Sequence, residues 1–175
     1  MKILTLLRHA KSGWDDGALR DFDRPLNPRG RRAAHTVGAE MRRLGLRFDG
    51  VVASPARRVI ETLEEVEQSF GRLAPAYDQR LYLASTETLL GVAKETDGGI
   101  ERLLLVGHNP GLEELVLRLS ADSGLRDEAA LKYPTATVAE MIFNVPSWRQ
   151  LADGGAVLTR FIRPRDLDPE LGPEE

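Results

Sequence analysis

Three short stretches hold residue types that could do chemistry: Arg8-His9 with Lys11 and Ser12 just after it, Ser54-Pro55-Ala56-Arg57-Arg58, and Gly107-His108-Asn109-Pro110. Arginine and lysine beside a histidine combine fixed positive charge with a ring nitrogen that titrates near neutrality and can attack an electrophile. Such a group suits a phosphate or a carboxylate. Arg57 and Arg58 fall in the first turns of a predicted helix, where a cation opposes the helix dipole. That placement makes sense where an anion is held between helix N-termini and a guanidinium. Singly, each stretch is weak evidence, since a lone histidine after a strand is more often structural. Their coincidence favours a site. The third histidine, His35, lies inside a helical pattern and reads as structural.

The elements around these stretches predict how they meet. Ile3, Leu4, Leu6 and Leu7 form a continuous apolar run, as do Val51-Val52-Ala53 and Leu103-Leu104-Leu105-Val106. That is the pattern of strands covered on both faces. Asn27-Pro28 opens a helix with Ala33, Ala34, Val37, Met41 and Leu44 on one face, ended by Gly45. Ser54-Pro55 reads as the cap and first turn of a second helix, stopping near Gly71, and Asn109-Pro110 as the start of another. Residues 85–95 predict a helix, 75–82 a short extended segment, 121–134 an irregular one, and 135–143 and 156–162 late strands. The polar loop from Gly13 to Arg24, with Asp15, Asp16, Asp21 and Asp23, reads as a solvated connector. The expected fold is α/β: a three-layer α/β/α sandwich on a mainly parallel sheet with an antiparallel edge strand. In such sheets ligands bind outside the carboxyl ends of the strands, where all three stretches fall.

With 175 residues and no cysteine, the chain fits one domain over 1–163. Thiol catalysis, disulfides and Cys-ligated metals are excluded, and a cytoplasmic setting is compatible. The proline-rich acidic stretch 164–175 is expected to be loose. No apolar run is long enough to cross a bilayer. A net charge of −3 argues against a general nucleic-acid surface. Neither a Walker A pattern, nor Gly-x-Gly-x-x-Gly, nor a metal-ligand cluster is present, so neither cofactor nor metal is expected. Oligomeric state is left open, a monomer being compatible.

Leu7-Arg8-His9-Ala10, Ser54-Pro55-x-x-Arg58 with Thr62 four residues on, and Gly107-His108 resemble, in order and spacing, the motifs of the histidine phosphatase superfamily. That group shares an Arg-His signature with phosphoglycerate mutases. The short chain, Arg8-His9-Ala10-Lys11-Ser12, the run Arg24-Pro25-Leu26-Asn27-Pro28-Arg29-Gly30 and Tyr82-Leu83-Ala84 are similar to its SixA-type phosphohistidine phosphatase branch. The resemblance implies that His9 attacks phosphorus to form an enzyme phosphohistidine that water hydrolyses. Arg8, Arg58 and His108 would surround the transferring group without a metal. Lys11, Ser12 and Arg24 are candidates for further substrate contacts, the alternative for Lys11 and Ser12 being that they only begin the loop.

Mutase-like members carry a glutamate that protonates the leaving oxygen; the comparison puts Leu83 there and Asp15 where those members have asparagine. Glu87 is nearby but reads equally as a helix N-terminal acid. A missing strong acid suits a substrate whose leaving group departs easily, as imidazole does from phosphohistidine. The resemblance therefore implies a phosphorylated protein as partner. A small-molecule phosphomonoesterase using the same residues is the alternative, and a non-catalytic phosphate-binding module a third reading.

Overall fold

The computed structural model describes residues 1–13 and 17–172. Six strands form one sheet: β1 (Lys2–Arg8), β2 (Gly50–Ala53), β3 (Ala76–Tyr77), β4 (Arg102–Gly107), β5 (Val138–Phe143) and β6 (Ala156–Ile162), in the order β3-β2-β4-β1-β5-β6. The first four strands are mutually parallel. Antiparallel pairing begins at β5, which runs against both β1 and β6. The reversed strand is thus one position in from the edge, and β6 closes the sheet.

Each central strand alternates between two cores, as a period of two requires. Leu4, Leu6, Leu103 and Leu105 face one side, packed by α3 (Thr86–Lys94), α4 (Gly111–Leu119) and α5 (Gly124–Leu131). Leu7, Leu104, Val106 and Val51 face the other, under α1 (Pro28–Arg43) and α2 (Arg57–Phe70). This is the three-layer α/β/α arrangement. Among the described residues, no helix is long and apolar enough to cross a membrane.

Several expectations are corrected. Residues 124–131, read as irregular, form α5, capped by the Ser123 hydroxyl accepting from the Arg126 amide at 3.1 Å. Its signal was faint because Ala129 is its one buried residue. The stretch after Arg163, expected to be loose, is packed through residue 172: α6 (Pro164–Leu167) leads into a 3-10 turn, and Leu171 is buried in the α1–α2 core. Arg32 of α1 holds Asp168 at 2.6 Å and Glu170 at 2.5 Å. Acidic and proline content masked two apolar anchors, Leu167 and Leu171. Strand β3 covers only two residues of the segment 75–82, and α2 and α4 begin at Arg57 and Gly111 rather than at Pro55 and Pro110.

The parallel register sets the site. Arg8 of β1 pairs with Gly107 of β4, and Ala53 of β2 with Val106, so three strands end side by side. His9, Ser54 and His108, each the next residue along, emerge at that one edge.

Candidate active site

The backbone of His9 is fixed from both sides: its amide donates to Gly107 at 3.0 Å, and its carbonyl accepts from the Ala136 amide at 2.9 Å. The ring is held by its own neighbour. Nδ1 lies 2.7 Å from the Ala10 carbonyl, an acceptor only, so Nδ1 carries the proton and Nε2 keeps a lone pair. Burial pushes the His9 pKa well below 6.5; the Ala10 hydrogen bond opposes this, while His108, Arg58 and Arg8 add to it. The imidazole is neutral. The Ala10 amide donates to the Thr62 hydroxyl at 2.9 Å, which in turn donates to the Arg58 carbonyl at 2.6 Å. The turn after β1 is thereby tied to the first turns of α2.

Arg58 is buried, and Arg57 is not: the latter is half-exposed and paired with Glu61 at 2.8 Å. Arg58 donates from Nη1 to the Asp21 carbonyl at 2.7 Å and from Nη2 to the Asp21 carboxylate at 3.0 Å. Its Nη2 also lies 3.3 Å from His108 Nδ1. Since guanidinium only donates, His108 Nδ1 accepts there and Nε2–H donates to the Ser54 hydroxyl at 2.8 Å. Burial, and next the Arg58 charge, hold His108 down to about 3, with Asp21 pulling the other way. The His9 and His108 rings are 5.2 Å apart, and Tyr82 stands edge-on to His108 at 5.5 Å.

The structure brings Arg8, His9, Arg58 and His108 together. Arg8 donates to the Tyr133 carbonyl at 2.9 Å. Lys11, Ser12 and Arg24 join Arg8 and His9 in the wall of an open pocket of about 540 Å3, which Glu113 and residues 131–135 also line. Arg58 and His108 lie behind this wall rather than in it. Arg24 bonds the Ser12 hydroxyl and, at 2.8 Å, the Asp21 carboxylate. Lys11 is placed by α1: its carbonyl accepts from the Asn27 amide at 3.0 Å. A Cβ on Gly30 would fall 2.1 Å from that carbonyl oxygen, so only glycine lets helix and turn approach this closely.

Asp21 was missed as a member of the site. It lies in a 3-10 turn, Asp21–Asp23, inside the loop read as solvated. Burial would raise its carboxyl, but hydrogen bonds from Tyr82 (2.6 Å), Arg24 and Arg58 outweigh it and hold the group well below the usual carboxylate range. Its position three residues before Arg24 was the available signal. Ser54, read as a helix cap, is instead the His108 partner. Glu87 is exposed and paired with Arg118, away from the pocket wall. Leu83 is exposed at φ 49°. The comparison made at Asp15 lies outside the described residues. Among the described residues, no group of three or more His, Asp or Glu side chains could hold a metal ion.

The chain is similar to known proteins in sequence and in fold. An uncharacterized Mycobacterium tuberculosis protein is 35% identical over 164 residues, covering 91% of this chain and all of its own length. An uncharacterized chloroplastic protein of Arabidopsis thaliana is 31% identical over 84% of this chain and 69% of its own. The Agrobacterium tumefaciens protein named as a candidate phosphohistidine phosphatase SixA superposes with a TM-score of 0.79 at 27% identity, over 93% of this chain and 98% of that one. A protein histidine phosphatase SixA solved with tungstate shares the fold at a TM-score of 0.78 and 19% identity, over 95% and 99% of the two chains. The model of the histidine phosphatase superfamily (branch 1) matches residues 4–96. The chain belongs to that superfamily, and family and fold together support phosphatase activity.

Proposed function

We propose that the chain removes phosphate from phosphohistidine in a protein substrate through a phospho-His9 intermediate. The observation that carries the reading is the His9 ring: neutral, with Nδ1–H on the Ala10 carbonyl and Nε2 left to attack phosphorus. Attack forms a bond from Nε2 to phosphorus as the bond to the leaving nitrogen breaks. Nδ1–H stays on Ala10, which stabilises the charge the ring gains. Arg8, in the pocket wall, is the fixed cation for the phosphoryl oxygens, a contact contributing on the order of 10²–10³ in kcat, and Arg58 adds its positive charge from behind that wall. His108 and Ser54 hold Arg58 from behind. Lys11, Ser12 and Arg24 meet the incoming phosphate at the pocket mouth. Water then displaces neutral His9 from phosphorus.

The open pocket and the absence of an acid at Leu83 support a protein-borne substrate with an easily expelled leaving group. The test is a labelled phosphohistidine protein with an alkaline quench. The expected result is a transient phosphoryl adduct on the wild-type chain, absent in His9→Ala. A preference for sugar or nucleotide phosphates by orders of magnitude in kcat/KM would overturn the substrate class. Neither adduct nor turnover would overturn the mechanism.

A further inference from the structure

The pocket at His9 carries charges of both signs. Arg8, Lys11, Arg24 and Lys132 line it as cations, and Glu113 lines it too, the one carboxylate there among the described residues. Glu113 is half-buried, and the structure shows no hydrogen bond or ion pair to its carboxylate among the described residues. Its backbone is fixed. The Glu113 amide donates to the Asn109 side chain at 3.2 Å, and that side chain donates to the Tyr133 carbonyl at 3.1 Å. The same carbonyl receives Arg8 at 2.9 Å, so the first turn of α4 is tied to the residue preceding the nucleophile. Among the described residues, Asp21 behind the pocket is already committed to Tyr82, Arg24 and Arg58.

We propose that the Glu113 carboxylate accepts the free ring N–H of the substrate phosphohistidine and so selects a substrate whose phosphorylated ring is cationic. This rests on the substrate class proposed above. A phosphohistidine protonated on its second nitrogen carries positive charge in the ring. When His9 Nε2 attacks, the phosphorus–nitrogen bond breaks and its electron pair goes to the departing nitrogen. The imidazole leaves neutral, its proton still on the second nitrogen. No proton has to reach the departing atom. What lowers the barrier is whatever keeps the second nitrogen protonated, and a carboxylate does so by raising that ring's pKa. An alcohol or aryl phosphate offers no such N–H. Glu113 thus takes up the leaving-group assistance that Leu83 cannot give.

The test compares a phosphohistidine peptide with p-nitrophenyl phosphate, using wild-type chain, Glu113→Gln and Glu113→Asp. The ratio of kcat/KM values, phosphohistidine over aryl ester, should fall about 10- to 100-fold in Glu113→Gln, the range for a hydrogen bond to a charged group. The fall should be larger at pH 8 than at pH 6, because wild type keeps the substrate ring protonated to higher pH. Glu113→Asp should restore part of the ratio. An unchanged ratio in a wild type that does hydrolyse phosphohistidine overturns the Glu113 role alone. A wild type inert on phosphohistidine yet active on the aryl ester overturns the substrate class and the role with it.

Discussion

Asp21→Asn isolates the carboxylate that braces the two arginines behind and beside the pocket. Asp21 Oδ2 receives Tyr82 at 2.6 Å and Arg58 at 3.0 Å, while Oδ1 receives Arg24 at 2.8 Å. An asparagine keeps one acceptor and turns an N–H toward two donors, so Arg58 loses its charged partner. Arg58 is 3% exposed at its side chain, and a charged hydrogen bond there contributes about 1.5–3 kcal/mol. Asp21 itself is 35% exposed, and solvent screening lowers the expected loss to about 1–2 kcal/mol. For a chain of this size that is a fall in Tm of roughly 2–8 °C. The pH dependence gives the sharper check. The folded-state pKa of Asp21 is depressed, so its contribution is full above the unfolded value of about 4 and is lost as pH falls toward the folded one. Denaturation of both proteins from pH 7 to pH 3 should show the gap constant down to about pH 5 and narrowing below. The buried histidines weaken both proteins on acidification and cancel in the difference. A gap that is absent, or that does not narrow, would refute the bracing role.

His108 is held at about 3, so its ring resonances should stay fixed between pH 8 and pH 5 in an NMR titration. A midpoint near 6.5 would contradict the burial and the Arg58 contact. Gly30→Ala forces a methyl onto the Lys11 carbonyl, and backbone cannot yield cheaply. It should cost about 1–3 kcal/mol by denaturant titration and raise KM as Lys11 shifts; a variant matching wild type in both would refute the close approach.

The strands were legible because a sheet covered on both faces leaves continuous apolar runs, and Leu103–Val106 alternate between the two cores as such a run must. The capping of α1 by Asn27 was equally readable, since its donor, the Gly30 amide, lies three residues away. Arg8, His9 and His108 could be picked out because each sits at a strand end whose position follows from local pattern, and Arg58 because it stands four residues after Ser54 in the motif. Helix α5 and the 164–172 stretch were not, because a single buried alanine or two scattered leucines make no periodicity.

What local pattern could settle was that three reactive stretches end up on one sheet edge, since chain order and strand type suffice for that. Which side chains complete the site is a matter of contacts across long separations. Asp21 reaches Arg58 over 37 residues, His108 reaches Ser54 over 54, and Arg8 reaches the Tyr133 carbonyl over 125. A loop aspartate looks solvated until the fold sets buried guanidinium beside it, and a serine before proline looks like a cap until a histidine is packed against it. The depth at which Arg58 is buried, the acceptor that holds His9 Nδ1 and the two-signed pocket were decided by packing, because burial and hydrogen-bond partners exist only once the layers close.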